Sequence, residues 1–278
     1  MSGAAWTQDG ASRARARAGF LAREAGVVRA LGRRALIIQF RKAQLVMPTF
    51  VLPLMLLAVI ASGTSAARGL PGFPDTKTYI SFVIAGTVIQ GTLLAGLTTG
   101  IQLASDIEFG FFDRLIAAPV HRTSIVIGRL CGTVGLALMQ SSFFFFVAWI
   151  FGARYPGGFL AIVGAVGIAA LTAAGVGGVA ASIALRTGSL AFLQSIFPFM
   201  FVLLFTAPAF FPQELLTPTL RDLSVYNPLT YIVEGVRGLL QGNRSFGNPW
   251  YALLSAGCLV VATTTLATFA LRERLRTT

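Results

Sequence analysis

The feature that most constrains this chain is a series of long apolar segments with almost no charged residues. Residues 79–105 contain no Asp, Glu, Lys or Arg. Similar segments occupy residues 45–61, 124–152, 159–185, 190–211 and 250–271. A helix of about 20 apolar residues crosses the hydrocarbon core of a bilayer, and in lipid the backbone must satisfy its own hydrogen bonds. The sequence therefore predicts an all-α membrane protein with six transmembrane helices.

The low content of charged residues excludes an ordinary soluble protein. Only 12% of the 278 residues are charged and 55% are hydrophobic, whereas about 25% of the residues of a typical soluble domain are charged. Six spans with short connections leave no room for a separate soluble domain. Residues 20–38 repeat apolar side chains near helical spacing, with arginines on the other faces, which predicts an interfacial helix. We predict a cytoplasmic tail with this helix in residues 1–42 and a six-span transmembrane domain in residues 43–278.

Basic residues are concentrated on one predicted side of the membrane. The net charge is +12, and nine of the 22 Lys and Arg residues precede the first apolar segment, while Arg272, Arg274 and Arg276 follow the last. Positive charge beside the spans marks the cytoplasmic side, so both termini are predicted to be cytoplasmic. This distribution favours a topology signal over nucleic-acid binding. Residues 1–42 have no early apolar core, so no cleaved signal peptide is expected.

No motif for catalysis, nucleotide hydrolysis or metal binding occurs in the sequence. A phosphate-binding loop requires Gly-x-x-x-x-Gly-Lys-Ser/Thr, and Lys77-Thr78 comes closest but lacks the second glycine. The single histidine is His121, and both cysteines lie inside apolar segments, which indicates neither a disulfide nor a zinc site. We predict no catalytic residue, no metal site and no cofactor in this chain. The glycine-rich residues 175–178 lie within an apolar segment and indicate close helix packing.

A short segment rich in carboxylates and phenylalanines follows the second apolar segment. It contains Asp106, Glu108 and Asp113, whose burial in lipid would be costly, so it is predicted to lie in the cytoplasm. Two interpretations remain open. The segment is either a polar loop with incidental aromatic residues, or a docking element whose exposed phenylalanines enter a pocket of a partner. These phenylalanines are Phe109, Phe111 and Phe112.

The order of these elements, together with two motifs, resembles the type 2 ABC exporter permeases, in particular their daunorubicin-resistance-like branch. The resemblance covers nearly the whole chain. The first motif is Glu108-Phe109-Gly110-Phe111-Phe112-Asp113-Arg114-Leu115-Ile116-Ala117-Ala118-Pro119-Val120, in which Ala118 replaces the family's usual Ser or Thr. The second comprises Phe210-Phe211-Pro212, Tyr226-Asn227-Pro228-Leu229-Thr230-Tyr231 and Glu234-Gly235-Val236-Arg237.

The resemblance implies a role for each motif. The first corresponds to a cytoplasmic coupling helix that docks on a separate ATP-binding subunit, and residues 20–42 correspond to the interfacial connecting helix. The residues implied in coupling are Asp106, Glu108, Phe109, Gly110, Phe111, Phe112, Asp113, Arg114, Leu115 and Pro119. The second motif corresponds to short outer re-entrant helices before the last span. Its implied residues are Phe211, Pro212, Asn227, Pro228, Tyr231, Glu234 and Arg237. Because Glu234 and Arg237 lie three residues apart, we expect them to form an ion pair.

For the whole chain, the resemblance implies the transmembrane permease subunit of an ATP-driven ABC exporter in the bacterial cell (inner) membrane. ATP and Mg would be bound by the separately encoded ATP-binding subunit. A second permease, either an identical copy or a sister chain, would complete a dimer among the membrane lipids. Since the spans carry almost no charge, the expected cargo is apolar or amphipathic, such as a drug-like molecule or a lipid or glycolipid, with drug resistance or lipid export as the outcome. The phenylalanines at 143–146 either line the path or face lipid.

A membrane-embedded enzyme of lipid or envelope metabolism is the alternative from a different class of protein. Such an enzyme needs polar groups that converge at one depth in the bilayer. Ser105, Asp106, Glu108 and His121 form the one cluster that the sequence offers for this purpose. A passive channel ranks lower, because no charged or carbonyl filter motif is present.

Overall fold

The chain folds into a bundle of helices. The computed structural model describes residues 24–39, 41, 43–63, 78–117 and 122–277, and no strand occurs among them. The helices are α1 (24–39), α2 (Ala43–Gly63), α3 (Tyr79–Glu108), α4 (Phe111–Ile116), α5 (Arg122–Ile150), α6 (Gly158–Thr187), α7 (Leu190–Ser195), α8 (Phe197–Phe205), α9 (Pro218–Tyr226), α10 (Pro228–Gln241) and α11 (Pro249–Thr277). Two 3-10 turns, Gln213–Leu215 and Arg244–Phe246, flank α9 and α10. The predicted all-α class is thus confirmed for the described residues.

Four helices are long and apolar enough to cross a membrane, judged by length and composition. They are Tyr79–Glu108, Thr123–Ile150, Gly158–Thr187 and Pro249–Arg276, which match four of the six predicted segments within a few residues. At a rise of 1.5 Å per residue, the 30 residues of α3 extend about 45 Å. The hydrocarbon core is about 30 Å thick, so α3 can carry polar groups at its ends outside the apolar layer.

The other two predicted segments form shorter apolar helices. The segment 45–61 lies within α2, whereas the segment 190–211 is interrupted and ends early. Its helix α7 stops at Ser195, and α8 begins with Pro198 in its first turn and ends at Phe205. Pro208 follows and cannot donate a backbone hydrogen bond, so the residues up to 211 do not continue the helix.

Helix α3 is the centre of the bundle. It contacts α2, α5, α6, α7, α8 and α10, and nearly all of its side chains are buried. Small residues bring it close to α6: a methyl group on Gly100 would lie 2.6 Å from Cβ of Ala180. The predicted packing role of residues 175–178 is confirmed as well, because a methyl group on Gly178 would lie 2.5 Å from Oγ1 of Thr263 in α11.

The bundle has two ends, the α10 end and the α3–α4 end. At the α10 end lie the start of α3 and the loop between α5 and α6, whose Gly157 amide donates to the Leu240 carbonyl of α10 over 2.9 Å. At the α3–α4 end lie α4, the start of α7 and the end of α11, since the Arg274 guanidinium donates to the Leu185 carbonyl of α6 over 2.9 Å. The two groups of predicted site residues therefore lie at opposite ends.

Helix α1 lies within residues 20–42, where the sequence predicted an interfacial helix. Residues 20–23 lie outside the described residues, but residues 24–39 are helical. One face of α1 packs on glycines of α5. A methyl group on Gly128 would lie 2.6 Å from Cβ of Leu31, and a methyl group on Gly132 would meet Cβ of Ala35. These contacts advance along both helices together, so α1 runs beside the first half of α5 at the α3–α4 end. Its position at the surface of a membrane stays a prediction.

Candidate functional site

The turn between α3 and α4 depends on one glycine. Helix α3 ends at Glu108, and Gly110 takes the left-handed conformation, with φ +69°. A methyl group at this position would meet no atom within 4 Å, so space is not what favours glycine here. The requirement is conformational, because residues with a side chain rarely adopt this φ. The chain therefore reverses sharply at Gly110 and leaves Phe109 at the tip of the turn.

The three phenylalanines of the first motif occupy different environments. Phe109 is 80% exposed, whereas Phe112 is 1% exposed and packs in the core of the α3–α4 end. Phe111 is half-buried, and the guanidinium carbon of Arg34 lies 3.8 Å from its ring centroid. The expectation that all three are exposed is wrong, because a six-residue amphipathic helix can attach to the bundle only by burying one face. Only Phe109 can enter a partner's pocket without rearrangement.

The rest of the first motif surrounds this turn. Asp113 and Arg114 lie exposed on the outer face of α4, and Leu115 is half-buried against the same core as Phe112. Pro119 lies outside the described residues, as does His121. In the described part of the motif, the exposed surface thus combines the large apolar side chain of Phe109 with two negative charges, Glu108 and Asp113, and the positive charge of Arg114.

Asp106 is the centre of an ion cluster that joins three helices. Its Oδ2 accepts a hydrogen bond from Nη2 of Arg129 in α5 and lies 3.6 Å from Nη1 of Arg34 in α1. The same Arg34 stacks on Phe111. Sequence reasoning assigned Asp106 to a partner and did not single out Arg129, although it is the one charged residue in the segment 124–152. A charge in an otherwise apolar span is itself a signal of a buried polar site.

Glu108 contacts the start of α7 rather than solvent alone. Its Oε1 accepts a hydrogen bond of 2.7 Å from the backbone N–H of Leu190, the first residue of α7. Carboxylates are favoured at a helix N-terminus, where backbone N–H groups lack partners. Of the residues proposed for the enzyme alternative, Ser105 and Asp106 line one cavity, whereas Glu108 binds α7 and His121 lies outside the described residues.

The second group of predicted residues lies around the end of α8. Asn227 donates from Nδ2 to the Leu203 carbonyl over 2.7 Å, and its Oδ1 accepts from the Leu229 amide over 2.9 Å, which caps α10. The hydroxyl of Tyr231 donates to the Val225 carbonyl over 2.9 Å. Pro228 opens α10, Pro212 is buried and Phe211 is partly exposed. The second motif therefore folds as one unit on α8.

Arg237 is the most buried charge of this unit, and its partners are main-chain carbonyls. It is 3% exposed, and its Nη2 donates to the carbonyls of Pro208 and Ala209 over 2.8 and 3.0 Å. Its Nε donates to the Phe82 carbonyl over 3.3 Å, and its guanidinium carbon lies 3.7 Å from the Phe82 ring centroid. Burial lowers the pKa of Arg237 to about 10.

The expected ion pair between Glu234 and Arg237 is wrong. No contact within ion-pair distance joins them among the described residues, although burial raises the pKa of Glu234 and the charge of Arg237 opposes that rise. The guanidinium turns instead toward the non-helical segment after α8, whose carbonyls have no helical donors. Sequence spacing identified a neighbour on the same helix but carried no information about these carbonyls, which lie 28 and 29 residues away.

The four successive phenylalanines 143–146 of α5 divide between the core and the surface. Phe144 and Phe145 are buried, while Phe143 and Phe146 are exposed on the surface of α5. A mainly apolar pocket of about 490 Å³ lies between α5 and α6 and is lined by aromatic side chains that include Phe146 and Trp149. Within the described residues, no three His, Cys, Asp or Glu side chains come together in a way that could hold a metal ion.

Comparison with known proteins places these features in a family. The model of the family described as ABC-2 type transporter matches residues 26–240, which include both motifs. The chain is 27% identical over 214 residues to the putative transport permease ycf38 of Porphyra purpurea, covering 76% of this chain and 72% of that one. It is 28% identical over 221 residues to the putative transport permease ycf38 of Pyropia yezoensis, covering 76% and 73%.

A bacterial relative carries a more specific name. The chain is 26% identical over 194 residues, or 67% of each chain, to the daunorubicin resistance ABC transporter permease protein DrrB1 of Streptomyces coeruleorubidus. Helices that are suited to cross a membrane, the family match over most of the chain and relatives named as transport permeases all agree. The chain belongs to the ABC-2 type transporter family and is a multi-pass transmembrane permease subunit of an ABC transporter rather than an enzyme.

Proposed function

We propose that this chain is the permease of an ATP-driven exporter that crosses the membrane six times. The four long helices would be joined by α2 and by α7 with α8, whose apolar stretches run from Val46 to Ser62 and from Leu190 to Phe205. The segment of α7 and α8 runs from the α3–α4 end, where Leu190 binds Glu108, to the α10 end, where the Leu203 carbonyl accepts from Asn227, which supports counting it as a span. Residues 1–42 would form the cytoplasmic tail and interfacial helix, and residues 43–278 the permease domain.

The α3–α4 end is the cytoplasmic side in this proposal, and both termini lie there. The basic residues support this orientation, because Arg272, Arg274 and Arg276 lie in the final turns of α11, at the α3–α4 end. Positive charge beside a span marks the cytoplasmic side. The membrane would be the bacterial cell membrane. A dimer of permeases, from two copies or from one copy and a sister chain, would bind two ATP-binding subunits. ATP and Mg would be held by those subunits, and this chain would hold no cofactor.

The observation that carries the proposal is the exposed tip of the α3–α4 turn. Phe109 projects from a turn that is attached on both sides: Asp106 binds α1 and α5, and Glu108 binds the start of α7. Large aromatic side chains often dominate the binding energy of interfaces. A partner that binds Phe109 would therefore move α3 together with α1, α5 and α7, because Asp106 and Glu108 link these helices. Coupling to ATP hydrolysis requires such a joint movement.

At the opposite end, α9 and α10 would form short re-entrant helices over the exit of the pathway. Arg237 supports this role because it fastens α10 to α3 and to the segment after α8, two elements that must separate if the exit opens. Differential affinity of the cargo for the open and closed states would then give direction to transport.

The cargo in this proposal is apolar or amphipathic, either a drug-like molecule or a lipid. The pocket between α5 and α6 is lined almost wholly by apolar and aromatic side chains, and such pockets suit apolar ligands. The name of the relative DrrB1, a daunorubicin resistance permease, favours a drug-like molecule, so drug resistance is the expected physiological outcome.

The test is co-purification of the tagged chain with its ATP-binding subunit, identified by mass, followed by an ATPase assay. Phe109→Ala removes a ring that is 80% exposed, which makes it a cleaner probe than a change of Glu108, whose carboxylate binds α7. If Phe109 is a binding hot spot, its loss costs about 2 kcal/mol, which weakens the complex roughly thirtyfold.

Phe151→Ala is the matched control. Phe151 is a 71% exposed phenylalanine at the other end of the bundle and does not line the pocket between α5 and α6, so its removal should leave the complex intact. Wild-type co-purification and ATPase activity in Phe109→Ala would contradict the docking role, and a stable chain without an ATP-binding subunit would contradict the exporter.

A further inference from the structure

Helix α2 contains a proline at a buried position in its middle. Pro53 lies within the helix Ala43–Gly63 and is buried, whereas Pro48 in the same helix is exposed. Proline has no backbone N–H, and its ring crowds the carbonyl four residues earlier, so it removes one helical hydrogen bond and bends the helix. For Pro53 that carbonyl belongs to Thr49, which is 2% exposed. An unpaired carbonyl at such a depth is costly in a membrane, where no water replaces the lost donor.

A side chain of another helix replaces the missing donor. Nε2 of Gln140 in α5 donates to the Thr49 carbonyl, and this contact is buried. Gln140 itself is 1% exposed. The hydroxyl of Thr49 does not serve the same purpose, because it donates to the Val46 carbonyl over 2.8 Å. A carbonyl can accept a hydrogen bond only from the amide nitrogen of glutamine, so the chemistry of the contact fixes the orientation of the Gln140 amide.

A glycine of α3 leaves room for the Gln140 side chain. A methyl group on Gly91 would lie 2.8 Å from Nε2 of Gln140 and 2.6 Å from Cε2 of Phe144, so a larger residue at this position would displace both side chains. Beside them, the ring centroid of Phe50 in α2 lies 5.6 Å from that of Phe143 and 5.9 Å from that of Phe144. Gln140 and these rings attach α2 to α5, while the main packing partner of α2 is α3.

The helix that holds this contact follows closely on α1. Helix α1 ends at residue 39, and α2 begins at Ala43. Arg34 of α1 binds Asp106 and stacks on Phe111, so α1 contacts the turn to which the proposed ATP-binding subunit docks. A movement of this turn therefore reaches α2 through α1. A helix bends most easily where one of its hydrogen bonds is missing, which in α2 is the step from Thr49 to Pro53.

We propose that Gln140 is a positioning residue, which replaces the missing N–H of Pro53 and so holds α2 in one position on α5. Pro53 is then the hinge at which α2 bends when the contact between Gln140 and Thr49 breaks. The use of this hinge in transport rests on the proposed function. The replacement of the hydrogen bond rests only on the contact of Gln140 with Thr49 and on the chemistry of proline. The two parts are therefore tested separately.

Hydrogen exchange of the purified full-length chain in detergent tests the replacement without any ATP-binding subunit. Gln140→Met removes the donor and keeps the length of the side chain. Because a buried carbonyl then lacks its partner, the amides of residues 50–57 should exchange about tenfold faster, while those of α11 should not change. Ser141→Ala is the control, since the buried Ser141 hydroxyl donates within α5, to the Ala137 carbonyl over 2.6 Å. It should leave exchange in α2 unchanged.

A restored backbone donor should make Gln140 dispensable. Pro53→Ala provides an N–H that can donate to the Thr49 carbonyl, so in this background Gln140→Met should alter exchange in α2 by no more than about twofold. Pro48→Ala is the matched control, because its new N–H lies four residues after Gln44 and does not serve Thr49. Gln140→Met should keep its full effect there. If Gln140→Met alone does not fold, addition of Pro53→Ala should restore folding and addition of Pro48→Ala should not.

The hinge is tested in the complex with the ATP-binding subunit, by ATP hydrolysis without added cargo. If α2 must bend at Pro53, Pro53→Ala should slow hydrolysis severalfold although it also slows hydrogen exchange in α2. A loss of stability cannot produce this combination. Pro48→Ala should leave hydrolysis unchanged.

Two results would overturn the role of Gln140. The first is an equal effect of Gln140→Met in the wild-type and Pro53→Ala backgrounds, and the second is faster exchange in all helices alike. Wild-type hydrolysis in Pro53→Ala would overturn the hinge. A chain that binds no ATP-binding subunit would contradict the proposed function instead, and hydrogen exchange would still decide whether Gln140 replaces the missing donor.

Discussion

Arg237 combines deep burial with a set of neutral partners. No carboxylate among the described residues reaches ion-pair distance of its guanidinium, yet the side chain is 3% exposed. Burial of a charge is costly unless hydrogen bonds replace its hydration. Three carbonyl oxygens and the face of Phe82 supply that replacement. The planar guanidinium, with donors that point in several fixed directions, is suited to such a site, whereas the single ammonium of lysine is not.

Replacement of Arg237 by lysine keeps the charge and removes this geometry. One ammonium group cannot reach the carbonyls of Phe82, Pro208 and Ala209 at once, so at least one buried carbonyl loses its donor. We expect Arg237→Lys to lower the free energy of unfolding by about 2 kcal/mol. Thermal unfolding of the purified chain in detergent measures this loss.

Arg221→Lys is the control for this change. Arg221 also donates to two main-chain carbonyls, those of Gln213 and Glu214 over 3.2 and 2.7 Å, but it is exposed. Water can replace its hydrogen bonds, so its substitution should alter stability by no more than about 0.5 kcal/mol. Equal losses in the two variants would show that burial does not set the cost.

The α3–α4 turn shows which aspects of a site can be read from its sequence. Three carboxylates and three phenylalanines between two apolar segments predicted a polar element at the end of a span, and the six-residue helix α4 lies there. The pattern did not show that Phe112 is buried or that Asp106 pairs with Arg129. Those facts depend on the way α1, α3 and α5 pack together, and the sequence carries no local signal of that packing.

The turn also permits a prediction about Gly110. A left-handed residue with a side chain costs roughly 1–2 kcal/mol, so Gly110→Ala should destabilise α4 and displace Phe109. We expect it to reduce both thermal stability and the ATPase activity of the assembled transporter.

Gly152 provides a control with the same backbone requirement. Its φ is +91°, and a methyl group there would also meet no atom within 4 Å, but it lies at the α10 end between α5 and α6. Gly152→Ala should lower stability to a similar degree and leave the stoichiometry of the ATP-binding subunit unchanged. If both variants lose the subunit equally, general instability and not the turn would account for the effect.

At the scale of the whole molecule, composition predicted the all-α class and the four long apolar helices, because a long uncharged segment in lipid can satisfy its backbone hydrogen bonds as a helix. The ends of the segment 190–211 were predicted less well, since apolar residues continue past Phe205 although Pro208 stops the helix. The central position of α3 was not predictable, because its apolar character resembles that of the other spans. Small residues decide its position, and their effect appears only when α6 packs on them.

The close contact between α3 and α6 yields the last prediction. A methyl group on Gly100 would lie 2.6 Å from Cβ and 2.7 Å from the carbonyl oxygen of Ala180, so the helices must separate to admit it. Overpacking of this kind costs about 1–3 kcal/mol, and Gly100→Ala should lower the unfolding temperature in detergent. Gly167→Ala is the control, because a methyl group on Gly167 in α6 would meet no atom within 4 Å. This change should be neutral, or raise the free energy of unfolding by up to about 1 kcal/mol, because alanine has the higher helix propensity. Because α3 also connects the α3–α4 turn to Arg237, Gly100→Ala should weaken ATP-coupled transport as well. Unchanged stability and unchanged transport in this variant would mean that α3 and α6 do not pack this closely.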